Sequence, residues 1–197
     1  MSSASVLPRV RFVAAALAAA LLAVLALQVV GLRQASNARA ATAGIVQITM
    51  TVKGHKQGFF KGDNPASKAG ANTIVVVAYQ YSVISPRDPQ SGLPTGQRQH
   101  HPVVITHELG ASSPQFFTAV VTNETLDSVV ISFSKTQTNG RETVFYVVTL
   151  TDATISELHQ YSSGSTVLED ISFTFRKIEQ LDKLAGTQGS DDWAARV

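Results

Sequence analysis

Cysteine is absent from the 197 residues. That excludes disulfide frameworks, thiolate metal sites and cysteine nucleophiles, so any folded part must be stable by packing alone. Charge is scarce too, at 15% of residues. Acidic residues are missing altogether from residues 1–43, which carry Arg9, Arg11, Arg33 and Arg39. Of the 16 Lys and Arg, those four leave 12 for the remainder, against 14 Asp and Glu. The remainder is slightly acidic, and nucleic-acid binding, which needs a basic face on the folded part, is excluded.

Signatures of catalysis are missing as well. There is no G-x-S-x-G elbow, no G-x-x-x-x-G-K-[ST] and no G-x-G-x-x-G, so the chain lacks a nucleophile turn and a phosphate cradle. The stretch "KGHKQGFFKGDNPASKAG" holds glycines and lysines without that spacing. It reads as an exposed loop between strands. No catalytic residue, metal ligand or cofactor is expected.

What is present begins with an apolar run, Phe12–Leu32, interrupted only by Gln28 and preceded by Arg9 and Arg11. It is long enough to span a bilayer as a helix. The following "ASNARAATAG" supplies small residues at cleavage spacing, as a signal peptide would. Residues 1–43 are therefore read as a signal peptide or membrane anchor. Export across the inner membrane, to a periplasmic or secreted location, follows from cleavage. Anchoring through residues 12–32 follows if the run is left uncleaved.

From Gly44 the pattern turns to strands. Gly44–Val52 alternates, Thr73–Ser85 is β-branched and aromatic, and Pro102–Leu109 and Ser128–Lys135 continue the pattern. Asn139–Gly140 is a hairpin signal, because a type I′ turn needs positive φ at both central residues. It leads into Glu142–Ser156. In the last strand Ile171, Phe173 and Phe175 share one face, with Ser172, Thr174 and Arg176 on the other. One short helix is expected after Ser113 as N-cap and Pro114 at the first position, with Phe116, Phe117 and Val120 as its apolar stripe. The fold class is thus mainly β: a small antiparallel β-barrel over residues 44–184 with one short flanking helix, preceded by the N-terminal hydrophobic helix. Residues 185–197 have no period and read as a loose tail.

Two features ask for a function. Val144, Tyr146, Val148 and Leu150 lie on a strand whose both faces are apolar, whereas a lone sheet leaves one face polar. Either the helix covers the second face or another subunit does. The other feature is the set His100, His101 and His107. On a strand His100 and His101 point oppositely, and His101 and His107 stand roughly 20 Å apart, whereas metal ligands meet within about 2 Å of one point. They read as solvated strand histidines, each replaceable by Asn at under about 1 kcal/mol.

The order of these pieces resembles the Hcp family, tube subunits of type VI secretion systems, over roughly Ile45 to Glu179. The resemblance rests on "ITMTVKGHKQG", "VVVAYQYSVISPRDPQSGLPTGQRQHHPVVITHEL" and "SSPQFFTAVVTNE", then the hairpin around "TNGRE", "YVVTLTDATISELHQY" and "LEDISFTFRKIE". It implies a non-enzymatic structural protein, a homo-oligomer forming a six-membered ring. Rings of that family stack into a hollow tube that is expelled and can carry effector cargo. The loop with Pro86, Arg87, Asp88, Gly92 and Gly96 would then reach toward the next ring, and Val144, Tyr146, Val148 and Leu150 would line the subunit interface. Partners would be the chain itself, effector cargo or other secretion components. The hydrophobic segment before the fold departs from the family pattern. A monomeric exported module that binds a protein or peptide at an open strand edge is the alternative.

Overall fold

The computed structural model describes residues 46–62, 72–137 and 140–193. The expected N-terminal hydrophobic helix and the cleavage region lie outside them. The described residues belong to one compact unit, Ile45–Val197, and no helix among them is long and apolar enough to cross a membrane.

Two long strands, β9 (Glu142–Ser163) and β10 (Thr166–Asp182), form an antiparallel hairpin turned at Gly164 and paired over nearly its whole length. β8 (Leu126–Thr136) lies along the other edge of β9, and β1 (Val46–Gly54) along β8. The free edge of β10 is shared by β7 (Val103–Glu108) and β11 (Thr187–Asp192). β2 (Gly58–Phe59) and β3 (Ile74–Val76) pair with β1, and β4 (Ala78–Gln80) pairs with β7. A separate two-stranded sheet joins β5 (Val83–Ile84) to β6 (Gln99–His100). The helix α1 spans Ser113–Val121.

The sheet is not closed into the barrel expected from the sequence. Its order runs β2-β1-β8-β9-β10-β7-β4. The segment that would close it breaks at Val77: β3 reaches β1 and β4 reaches β7, with no uninterrupted strand paired on both edges. The "loose tail" is corrected as well. Residues 187–192 form β11, paired with β10 from Asp182↔Thr187 to Lys177↔Asp192. The glycine- and lysine-rich stretch read as a loop contains β2 and the buried Phe60.

Alternation decides the core. Ile171, Phe173 and Phe175 are buried, as are Val103 and Ile105 on β7 and Val129 and Ile131 on β8. Beyond Phe175 the parity changes, with Ile178 as the next buried residue. The change coincides with Asp152, held at φ 49 opposite Arg176, whose Nε donates to its carboxylate at 2.7 Å. This bend lets both halves of the hairpin bury a face.

The helix plugs one opening of this curved sheet. Phe116 is fully buried against Phe60, His107 and Phe173, with ring centroids 5.0, 5.5 and 6.3 Å away. Helix entry differs from expectation by one residue. Ser112 is the N-cap and Ser113 is already helical, its hydroxyl accepting the Gly110 N–H at 3.1 Å. Phe117 points to solvent, and Ala119 takes its place in the buried set. At the far end, buried Glu124 accepts the N–H groups of Lys56 and Gln57 at 2.7 and 2.9 Å, fixing the β1–β2 turn. Gly54 is required there, since a Cβ would sit 2.6 Å from the Glu124 carboxylate.

The β8–β9 turn contains Gly140 at φ 75, and its partner Asn139 lies outside the described residues. Two outcomes check the fold. Gly140→Val should lower the melting temperature, because a left-handed conformation costs an L side chain about 1–2 kcal/mol; an unchanged value would disprove the turn. Phe173→Ala should cost about 3–5 kcal/mol in a denaturant titration, while Thr174→Ala on the opposite face should be nearly neutral. Equal tolerance would contradict the buried face of β10.

Candidate functional site

The histidine-rich stretch separates into three environments. His101 is exposed. His107 follows the inward parity of Val103 and Ile105 and is buried to 1% exposure, which corrects the expectation of a solvated side chain. Its Nε2 lies 2.9 Å from the Glu169 carboxylate, itself fully buried, and Gln160 donates to the other oxygen at 2.5 Å. Burial works to raise the Glu169 pKa, but the adjacent imidazole and the Gln160 amide outweigh it and hold the carboxyl below the usual range. Alternation through Val103, Ile105 and His107 was the sequence signal for this burial.

His100 joins a different cluster. Its Nδ1 is 2.6 Å from the Tyr81 hydroxyl and its Nε2 is 2.6 Å from Asp191. Arg98 pairs with Asp191 and donates to the Asp192 carbonyl at 2.9 Å. Trp193 and Phe175 pack against the imidazole. The Asp191 carboxyl is held below its ordinary range chiefly by Arg98, with His100 adding to it. Burial pushes the Tyr81 hydroxyl up, reinforced by the Asp191 charge. Strand β11 is thereby fastened to β6. A cavity of about 460 Å³ lies beside this clamp, lined by Tyr81, His100, Tyr146, Gln180 and Asp191 among others. Sequence reasoning missed the clamp because "TQGSDDW" carries neither alternation nor β-branched residues.

β5 and β6 are the base of an ordered finger that holds every residue of the candidate stacking loop. Asp88 accepts the N–H groups of Gln90 and Ser91, at 3.1 and 2.7 Å, and the Ser91 hydroxyl at 2.8 Å. The Ser91 N–H and hydroxyl are the main reasons its carboxyl sits below the usual range. Gly92 turns the chain at φ 70 and its carbonyl accepts from Arg87 at 3.1 Å. Arg87 bridges Pro94, and the Thr95 N–H closes back on the Pro86 carbonyl at 3.0 Å, just before Gly96. Leu93 stands at the tip, 64% exposed.

The candidate interface strand needs a correction of parity. Val148 and Leu150 are core residues, and Tyr146 packs against the core while donating to Gln180 at 2.6 Å. Val144, on the same parity, is half-buried. None of the four is presented to a partner as a free apolar row. The other parity is Val147 and Thr149, both half-buried, with Leu181 beside Val147 on β10; Phe145 sits at the irregularity between Phe133↔Tyr146 and Ser134↔Val144, with Lys135 4.4 Å over its ring. Two apolar faces in sequence gave no way to choose between parities.

A family model described as "Type VI secretion system effector, Hcp" matches residues 49–181. A Pseudomonas aeruginosa protein called "Major exported protein" is 37% identical over 164 residues, covering 75% of this chain and 95% of its own length. A crystal structure of an Hcp protein superposes with a TM-score of 0.70 at 29% identity, covering 75% of this chain and 99% of that one. The secreted protein Hcp3 from Pseudomonas aeruginosa superposes with a TM-score of 0.63 at 30% identity, covering 77% of this chain and all of that one.

The buried pair makes a measurable difference among the histidines. Leaving a buried polar group without its partner costs about 1–3 kcal/mol, more where the group is charged, so His107→Asn, which strands the Glu169 carboxylate, should destabilise by at least that amount and His101→Asn by under about 1 kcal/mol. A carboxyl depressed on folding stabilises above its unfolded pKa, and that contribution is lost as pH falls through the folded one. Glu169→Gln should therefore be less stable at neutral pH yet lose stability less steeply on acidification. Urea midpoints across the acidic range check this; parallel profiles would contradict the pair.

Proposed function

The chain belongs to the Hcp family of type VI secretion proteins, and from that membership we propose that it works as an exported, ring-forming structural subunit without catalysis or cofactor. The ring is formed by head-to-tail contact between copies, six in number by family resemblance. Its partners are further copies of itself and, through them, effector cargo or other secretion components. Membrane contact is confined to residues 12–32 if they are retained.

The observation that carries this reading is the outward row of β9 and β10. Val147 and Leu181, paired across β9 and β10 and each half-buried, take the parity opposite to the core residues Val148, Leu150 and Ile178. A contact between unlike patches closes into a ring when the rotation between copies is right. The finger with Pro86, Arg87, Asp88, Gly92 and Gly96 projects from the same subunit and supplies the contact between rings. A monomeric module for a protein or peptide is the second reading, favoured by the cavity of about 460 Å³ beside β11.

Light scattering on the eluting protein at low and high salt separates the two. The apolar ring contact should persist in salt, and association between rings, which carries charge, should weaken as the charges are screened. Val147→Asp should reduce the ring to monomers while leaving the fold intact. Wild-type protein that is monomeric at micromolar concentration in every salt would defeat the ring and favour the binding module.

A further inference from the structure

We propose that the cavity beside β11 is a binding site for a primary alkylammonium ion, either a free amine or a lysine side chain. The cavity, about 460 Å³, has the size of a small-molecule site. It lies within one copy and is independent of any ring. Strand register builds its floor. Residues paired across an antiparallel ladder share a face, and the ladders pair Tyr146↔Asp182, Asp182↔Thr187, Gln180↔Gly189 and Ile178↔Asp191. Ile178 and Asp182 stand four residues apart on β10, so the floor is about 13 Å long. Tyr81 and Val83, at the start of β5, line the cavity as well.

Charge selects the occupant. The phenols and the histidine of the lining already have partners. The Tyr81 hydroxyl meets His100 Nδ1 at 2.6 Å, and His100 Nε2 meets Asp191 at 2.6 Å. Arg98 neutralises Asp191, and the Tyr146 hydroxyl donates to Gln180 at 2.6 Å. Asp182 differs. Its carboxylate accepts the Leu184 and Ala185 N–H groups, at 2.8 and 2.9 Å, and forms no ion pair among the described residues. No lysine or arginine lines the cavity. A half-buried carboxylate without a counter-charge favours a cation that can donate to it, and the Tyr146 ring across the ladder adds a cation–π attraction. With both hydroxyls engaged, the two rings, Val83 and Ile178 are left as apolar surface for a methylene chain. One positive charge suffices, because the Asp191 end is an ion pair already made. Gly189 keeps the space above Gln180 open, since a Cβ there would meet nothing within 4 Å.

Calorimetric titration of the full-length protein with hexylamine at neutral pH tests the site. Hexylammonium should bind, and hexanol, the same chain without the charge, should bind at least about tenfold more weakly. Asp182→Asn keeps an oxygen for the Leu184 and Ala185 N–H groups, so its melting temperature should hold while hexylammonium affinity falls by a similar factor. Gly189→Val should fill the cavity and abolish binding with the strand intact, because valine suits a strand. Lysine capped as an amide at both backbone ends is titrated alongside. Tighter binding than hexylamine assigns the site to a lysine side chain, and weaker binding assigns it to a free amine. Absence of binding by both amines, equal binding of hexanol, or full affinity in folded Asp182→Asn would overturn the proposal.

Discussion

Everything in this subunit is registered against one ladder, the antiparallel pairing of β9 with β10 from Tyr146↔Asp182 to Ser163↔Thr166. β8 and β1 are added along one side, β7 and β11 along the other, and α1 closes over the curved face with Phe116. An antiparallel ladder fixes parity: a slip of one residue would exchange every inward side chain for its outward neighbour. Here that exchange would bring Val147 and Thr149 into the core and expel Val148 and Leu150. At Asp152 and Arg176 the pairing skips one position and the buried parity changes while the register on either side, Phe175↔Ala153 and Lys177↔Thr151, is kept, so both ends bury a face.

The same parity decides which face of β9 and β10 is left for the proposed contact between copies. With Val148, Leu150 and Ile178 turned inward, the opposite parity carries Val147 and Leu181 beside Thr149, Thr151, Lys177 and Glu179. Buried polar groups are tolerated only where partnered, and the two histidine clusters show both forms of partnership. His107 pairs with Glu169 and packs on Phe116 inside the sheet. His100 bridges Tyr81 and Asp191 and thereby ties the base of the finger to the last strand. The finger's position therefore depends on β11, a segment whose own sequence has little tendency to form a strand.

Most strands were legible because one face is polar. Val103, Ile105 and His107, or Ile171, Phe173 and Phe175, alternate plainly, and Ser112 to Pro114 announces the helix within one residue. The finger was legible from its prolines and glycines, since turn chemistry is local. What was not legible depends on contacts distant in sequence. β9 is apolar on both faces, so which parity fills the core could be chosen only once β8 and β10 were in place. β11 forms because β10 offers a free edge and Arg98 offers a charge. The break at Val77, which leaves the barrel open, has no signature in "IVVVAYQ". The pocket of about 390 Å³ beside β3 and β7 joins residues 75–77 to residues 107–110, and no short window of sequence contains both.

The account's central claim is that the outward row of this ladder closes copies into rings. Electron microscopy of the purified protein, with particles averaged without imposed symmetry, tests that claim most directly. The account predicts annular averages with a central hole and six repeats. Uniform averages the size of a single subunit, at concentrations where the fold is intact, would contradict it.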